Sequence, residues 1–323
     1  MLKLSKRLID ITGMRDIIQR RIPVLTLDSK KPGPVVWLIG CIHGDEPGGV
    51  AIIHDVFKLM RETDMACGTL NALPLVNSMG FENVSRFINS DREDLNRCFP
   101  GDAKGTMGER IARRLFDLII KTEPDLVIDL HNDWIQSVPY LLLEQRSRFR
   151  DRDVRKRTIE LAAGTGLLIV QESAPDDDAA GALSGAMVAA GVPSFTVEAG
   201  GAGGIVEASI ASGKRAVVGA LHRLGMTGPG AEQFVPAARK PRVLDYTSHP
   251  RCTSSGIIRF AVTPGQQIEA EQKLAEVYSA FGSIEETLRA DASGYVLGVS
   301  DHARVVPGTE IVAIAERAAA NQN

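Results

Sequence analysis

Gly40-Cys41-Ile42-His43-Gly44-Asp45-Glu46-Pro47-Gly48-Gly49 follows directly on the apolar run Val35-Val36-Trp37-Leu38-Ile39. A short, near-continuous apolar run reads as a strand buried on both faces, the signature of a parallel sheet covered by helices. Open sheets of that kind hold their ligands just past the carboxyl ends of the strands, which is where this polar tip sits. The tip sets His43 and Glu46 three residues apart. Zinc takes nitrogen and oxygen ligands of this type at about 2.0–2.2 Å. A third ligand is at hand in His131, where Leu126-Val127-Ile128-Asp129-Leu130 ends in another polar tip, His131-Asn132. Two histidines, one glutamate and an open fourth position form the pattern of hydrolytic zinc. Taken singly, each histidine reads as a loop or core residue; the combination makes the metal reading.

The rest of the chain is organised around those tips. Further strand-like runs are Ile22 to Leu27, Leu70 to Val76, Leu167 to Val170 and Phe195 to Val197, with helix-period stretches at Gly49 to Met60, Met107 to Lys121, Val154 to Ala163, Ser184 to Ala190 and Val206 to Leu224. The alternation predicts an α/β fold, a mostly parallel mixed sheet with helices on both faces, over residues 1–240. From 241 to 323 the texture changes to short strand-like pieces punctuated by Gly and Pro, which predicts a small C-terminal all-β, barrel-like domain. That domain resembles the lipoyl/biotinyl type, with Pro264-Gly265 and Pro307-Gly308 as the matching turns of its two halves. Carriers of that type attach their cofactor to a lysine on the hairpin between the halves. Tyr278-Ser279-Ala280-Phe281-Gly282-Ser283 has none, which argues against a carrier. Ala318 to Asn323 reads as a frayed tail.

Composition narrows the partners. Of 323 residues, 44% are hydrophobic and 24% charged, enough for a full core, and the net charge of −3 supplies no basic field for nucleic acid. Aromatics at 5% also argue against a base-stacking platform. No apolar run approaches the about 18 residues of a membrane span, and Met1 to Arg7 lacks a signal core. Cys41, Cys67, Cys98 and Cys252 form no CxxC pair, so the cytoplasm is the expected compartment. The oligomeric state, a homo-oligomer included, is left open.

Three further stretches carry chemistry. Asn77 to Gly105 is long, polar and aperiodic, the kind of loop that is functional inside a compact domain. Its arginines offer planar forks for a carboxylate or a carbonyl oxygen, and Asn96 beside Arg97 adds an amide donor. Asp91, Arg92, Glu93 and Asp94 read as local charge pairs. Pro193 to Gly200 ends a strand in Glu198, placed to serve as the base that a water nucleophile needs, with Gly200 and Gly201 leaving room for substrate. Asp129 shares a strand face with His131 and reads as the carboxylate that orients it. His54, His222, His249 and His302 read as structural or surface residues.

His43-Gly44-Asp45-Glu46, Asp94 to Gly101, Asp129-Leu130-His131-Asn132 and Val197-Glu198-Ala199-Gly200 occur in the order seen in the succinylglutamate desuccinylase/aspartoacylase family, a branch of the zinc carboxypeptidase-like fold, which this chain resembles over about residues 20 to 225. The resemblance implies one zinc ion per chain on His43, Glu46 and His131, with Glu198 as general base and acid. It implies Arg86 at the carbonyl oxygen that becomes an oxyanion, and Asn96 and Arg97 at the substrate carboxylate. The segment between Arg86 and Asn96 is longer than in the aspartoacylase-like pattern, and no residue matches those that tell an aspartyl from a glutamyl side chain. The expected activity is zinc-dependent hydrolysis of the amide of a small-molecule N-acyl amino acid. The alternatives are a metallocarboxypeptidase acting on peptides and a metal-dependent binding protein without turnover, the latter disfavoured by Glu198. A barrel domain capping the cleft would favour small substrates.

Overall fold

The computed structural model describes residues 2–11, 19–88, 92–172, 181–237 and 240–316. The tail expected to fray, Ala318 to Asn323, and Asp91 of the charged loop lie outside that set. In chain order the first part runs β1 (Lys3–Asp10), β2 (Arg21–Asp28), β3 (Val35–Gly40), α1 (Gly48–Glu62), β4 (Thr69–Leu73), α2 (Ser78–Glu82), α3 (Met107–Ile120), β5 (Leu126–His131), β6 (Gln136–Ser137), β7 (Tyr140–Leu143), α4 (Arg152–Ala162), β8 (Leu168–Glu172), α5 (Leu183–Ala189), β9 (Ser194–Glu198) and α6 (Glu207–Arg223). Beyond it come β10 (Val243–Thr247), β11 (Gly256–Phe260), β12 (Gln267–Ile268), β13 (Lys273–Tyr278), β14 (Ile284–Arg289), β15 (Gly294–Val299), β16 (Arg304–Val305) and β17 (Val312–Glu316).

The centre of the sheet is parallel, as its unbroken apolar runs require. Strand β3 lies between β4 and β5, and β5 pairs with β9, all in parallel register. Alternate residues of each strand face opposite layers. Val36 and Leu38 join a core with Ile52, Val56 and Leu221 of α1 and α6, while Trp37 and Ile39 join a second core with Ile111, Leu115 and Met187 of α3 and α5. Helices therefore cover both faces. Antiparallel pairs flank the parallel centre, with β1 and β2 on one side and β7 against β9 on the other.

Several elements have no counterpart in the sequence pattern. Strand β1 is an outermost strand of the sheet and five of its eight residues are polar, so it has no apolar run to betray it. Strand β7 was hidden in Tyr140-Leu141-Leu142-Leu143, and β4 stops at Leu73, before Pro74. The long loop holds the short helix α2, whose N-cap Asn77 accepts a hydrogen bond from Gly80 N at 2.8 Å.

The C-terminal segment forms two sheets. Strands β14, β13, β11 and β16 make a separate antiparallel sheet, while β17, β15 and β12 continue the large sheet through β10. A core of its own, with Ile258, Leu274, Val277, Val296 and Ile314, fills the space between them. Gly265 and Gly308 take positive φ of 86° and 88°, so the two matching turns share a backbone conformation.

Phe195 is fully buried beside Ile128 in the β5–β9 pair. Phe195→Ala is expected to cost about 3–5 kcal/mol of unfolding free energy by denaturant titration; a loss under about 1 kcal/mol would contradict this packing.

Candidate active site

The site begins where β3, β5 and β9 end. Between β3 and α1 the chain makes the turn that carries His43 and Glu46, and α1 starts at once with Gly48 and Gly49. A Cβ on Gly49 would lie 2.7 Å from Leu130 O, and one on Gly48 would lie 2.5 Å from the Asn132 amide. Only residues without a side chain let the helix start against the tip of β5. That close approach carries Glu46 to His131, 85 positions away in sequence.

Asn132 ties the ends together. Its Oδ1 accepts from Gly48 N at 2.9 Å, its Nδ2 donates to Gly200 O at 2.6 Å, and its backbone N donates to Glu46 Oε2 at 3.0 Å. Gly200 thus serves the scaffold rather than opening room for substrate. A Cβ there would lie 2.8 Å from Ser137 Oγ, and its φ is +74°.

The Nδ1 atoms of His43 and His131 lie 3.2 Å apart, and the Glu46 oxygens lie 2.7 Å from the first and 2.9 Å from the second. All three residues are buried. Each imidazole turns its other nitrogen toward a carboxylate: His131 Nε2 is 3.0 Å from Asp129 Oδ2, and His43 Nε2 is 3.3 Å from Asp94 Oδ1. A carboxylate thus stands behind each ring at ion-pair distance, where the outer carboxylate of a metal-ligating histidine lies. Two imidazole nitrogens and a carboxylate aimed at one point suit a borderline dication. The donor set and its buried surroundings fit zinc. Among the described residues this is the group of histidine, cysteine and acidic side chains with such convergence. Cys41, two residues away, takes no part; its thiol contacts the carbonyls of His43 and Gly44, and burial pushes it up to about 12.

The other sequence-predicted residues gather around this point. Glu198 sits directly opposite His131 in the β5–β9 register, so both side chains leave the same sheet face. Burial raises the Glu198 carboxyl to about 8, against the pull of His131. The Arg86 Nη1 lies 3.2 Å from His43 Nδ1 and 3.7 Å from Glu46 Oε1. Asn96 Oδ1 accepts from Leu183 N at 2.9 Å, which leaves its Nδ2 edge toward the cavity. Arg97 lines the same cavity, with Nη1 donating to Asn96 O at 3.0 Å. The cavity measures about 180 Å³.

The charged loop differs from its reading as local pairs. Asp94 accepts from Arg86 Nε at 2.9 Å and from Asn96 N at 2.9 Å, so one carboxylate joins Arg86, the turn before Arg97 and the ring of His43. Burial opposes its ionisation, but His43 and Arg86 hold its carboxyl well below the usual range. Glu93 accepts from Gly108 N at 2.8 Å and from the Thr106 hydroxyl at the start of α3, and Arg92 lies over the Phe87 ring. Residues not singled out in sequence also line the cavity: Asp133, Leu142, Glu144, Glu172, Ser184 and Thr196. Among the described residues that line it, none comes from the β-rich segment. That segment instead holds the loop after His131, through Asp301 accepting from Ile135 N at 2.9 Å and through the β6–β15 pair. His54, His222, His249 and His302 are exposed.

Residues 32–224 match the family model of the succinylglutamate desuccinylase/aspartoacylase catalytic domain. The chain belongs to that family. Membership makes it a deacylase-type amide hydrolase acting on N-acyl amino acids. It is 25% identical over 304 residues to an N-alpha-acetyl-L-2,4-diaminobutyric acid deacetylase of Halomonas elongata, covering 91% of this chain and 85% of that protein. The product-bound ectoine utilization protein EutE (DoeB) of Ruegeria pomeroyi superposes with a TM-score of 0.80 at 22% identity, covering 97% of this chain and 95% of that one. A metallo-carboxypeptidase of Burkholderia cenocepacia shares the fold at a TM-score of 0.52 and 19% identity, over 67% of this chain and 63% of its own. Among the described residues no helix is long and apolar enough to cross a membrane.

Outer carboxylates of metal-bound histidines typically contribute 10- to 100-fold in affinity. Asp129→Asn is expected to weaken zinc binding by about that factor in a competition titration with a chromogenic chelator; an unchanged affinity would contradict the role given to Asp129.

Proposed function

We propose that this chain is a zinc-dependent deacylase that hydrolyses the amide of a small N-acyl amino acid. The observation that carries this reading is the convergence of two buried histidine nitrogens and the Glu46 carboxylate beside Glu198. His43, Glu46 and His131 are the proposed zinc ligands, and the ion would supply Lewis acidity for water and for the scissile carbonyl. Glu198 takes the proton of the attacking water and returns it to the departing amine. Its burial favours this, because a carboxyl raised toward neutrality can both accept and release a proton near pH 7. Arg86, held by Asp94, donates to the oxygen on which negative charge develops. Arg97 and the Nδ2 edge of Asn96 grip the substrate carboxylate and set the amide within reach of Glu198.

The cavity volume of about 180 Å³ favours a single acylated amino acid over an extended peptide. The acetyl group named for the Halomonas relative is the acyl group we propose first. The catalytic unit is proposed to end near residue 240, with 241–323 as a supporting β-rich unit. The four cysteines are free, in keeping with a cytoplasmic location.

The test is a hydrolysis screen of N-acetyl, N-succinyl and N-formyl amino acids on zinc-loaded protein, with and without chelator. Turnover of at least one, abolished by chelation and restored by zinc, is expected; a zinc-loaded protein that leaves all intact would refute the proposal. Glu198→Gln is expected to lower kcat by about 10²–10⁴-fold with zinc content unchanged. Arg97→Ala is expected to raise KM; a fall in kcat at constant KM would remove its anchoring role.

A further inference from the structure

A second cavity, apart from the catalytic one, opens at the start of α4. The helix begins with Arg152, and Arg155 and Lys156 follow three and four positions later, which puts all three on one face. Arg146, in the short turn Arg146–Arg148 that precedes α4, lines the same space. The cavity walled by these four side chains measures about 820 Å³. It shares no lining residue with the catalytic cavity of about 180 Å³.

By itself this arrangement of charge is unfavourable. The first turns of a helix carry partial positive charge and prefer acidic side chains. Cations three and four positions apart on a helix also repel one another. Among the described residues none of the four makes an ion pair. Arg155 is held by a neutral group instead: its Nη2 donates to Gln171 Oε1 at 2.9 Å, and Gln171 is buried on β8. Burial and the nearby Arg146 both pull the Arg155 guanidinium below its ordinary range. The two acids on the wall are engaged elsewhere. Asp151 caps α4, accepting from Val154 N at 2.9 Å, and Glu160 lies 3.7 Å from Arg157, which is no part of the wall. Cations that stand together without counter-charge, around one concavity, lack an anion that comes from outside the chain.

The remaining wall says what else that anion carries. Phe149, Ile159 and Pro241 complete it, so an inorganic ion alone would leave apolar surface uncovered. The volume falls within the range of small-molecule pockets, about 300–1,000 Å³. We propose that this cavity binds a small organic anion with two or more negative charges on phosphate or carboxylate groups. Arg146, Arg152, Arg155 and Lys156 hold the charged groups, while Phe149, Ile159 and Pro241 take the organic body. The inference stands apart from the deacylase reading, because the two cavities have no residue in common.

The experiment is calorimetric titration of the zinc-loaded full chain at low salt with three probes. AMP offers a phosphate, benzene-1,3,5-tricarboxylate offers carboxylates, and adenosine is the uncharged control. Saturable binding of one AMP or one tricarboxylate per chain is expected, with none of adenosine; whichever anion binds more tightly names the group recognised. Arg152 and Lys156 are exposed, so the double variant Arg152→Gln/Lys156→Gln is expected to fold and to weaken that binding by about 10-fold or more. Arg146→Gln is expected to weaken it in the same direction. Arg97→Ala, which alters only the catalytic cavity, is expected to leave it unchanged. Failure of both anions to bind at millimolar concentration would overturn the inference. So would affinity untouched by the Arg152→Gln/Lys156→Gln and Arg146→Gln variants, or binding lost in Arg97→Ala. None of these outcomes bears on whether the chain hydrolyses acyl amino acids.

Discussion

The close contact between the start of α1 and the tip of β5 underlies everything else in this molecule. Gly48 and Gly49 allow it, because any side chain at either position would meet Asn132 or the backbone at Leu130. Through that contact Glu46 crosses from one strand end to the next and stands between His43, in the turn after β3, and His131, at the end of β5. Asn132 then fastens α1, β5 and the end of β9 with three hydrogen bonds from one residue. The ligand geometry is thus set by backbone packing, which is stiff, rather than by the rotamers of long side chains.

Charge is arranged in shells around that point. The three ligand residues are buried, and behind the two imidazoles stand Asp129 and Asp94. Asp94 also orients Arg86 and caps the turn that presents Asn96 and Arg97, so one carboxylate couples the proposed oxyanion donor, substrate anchor and metal ligand. Buried acids in this number are tolerable only where cations offset them. The proposed zinc ion on the histidines would meet part of that requirement, beside Arg86 and Arg97. The β-rich segment contributes from outside, bracing the loop after His131 through Asp301.

Much of this was legible in the sequence because parallel strands are apolar on both faces and end abruptly. Val35 to Ile39 and Leu126 to Leu130 announced their strands, and the polar residues that followed had to lie at one edge of the sheet. His43, Glu46, His131 and Glu198 could therefore be named, and Asp129 was reachable by counting two residues back along a strand. Asp94 was missed because an acid among Arg92, Glu93 and Arg97 looks like surface charge until the fold shows which neighbour it meets. Glu144 was missed for another reason. Strand β7 runs against β9, and no local pattern reveals that its end lies on the same face as Glu198. Strand β1, an edge strand with mixed polarity, carried no periodic signal at all. Local pattern reports local structure, while cross-strand register depends on contacts between distant segments.

The central claim is that His43, Glu46 and His131 bind one metal ion in the arrangement their side chains already hold. Anomalous diffraction at the zinc edge, on crystals of the zinc-loaded protein, tests it most directly. A single strong peak about 2.0–2.2 Å from both Nδ1 atoms and from a Glu46 oxygen is the predicted result. The absence of a peak at that point in fully zinc-loaded protein, or a peak held by other side chains, would contradict it.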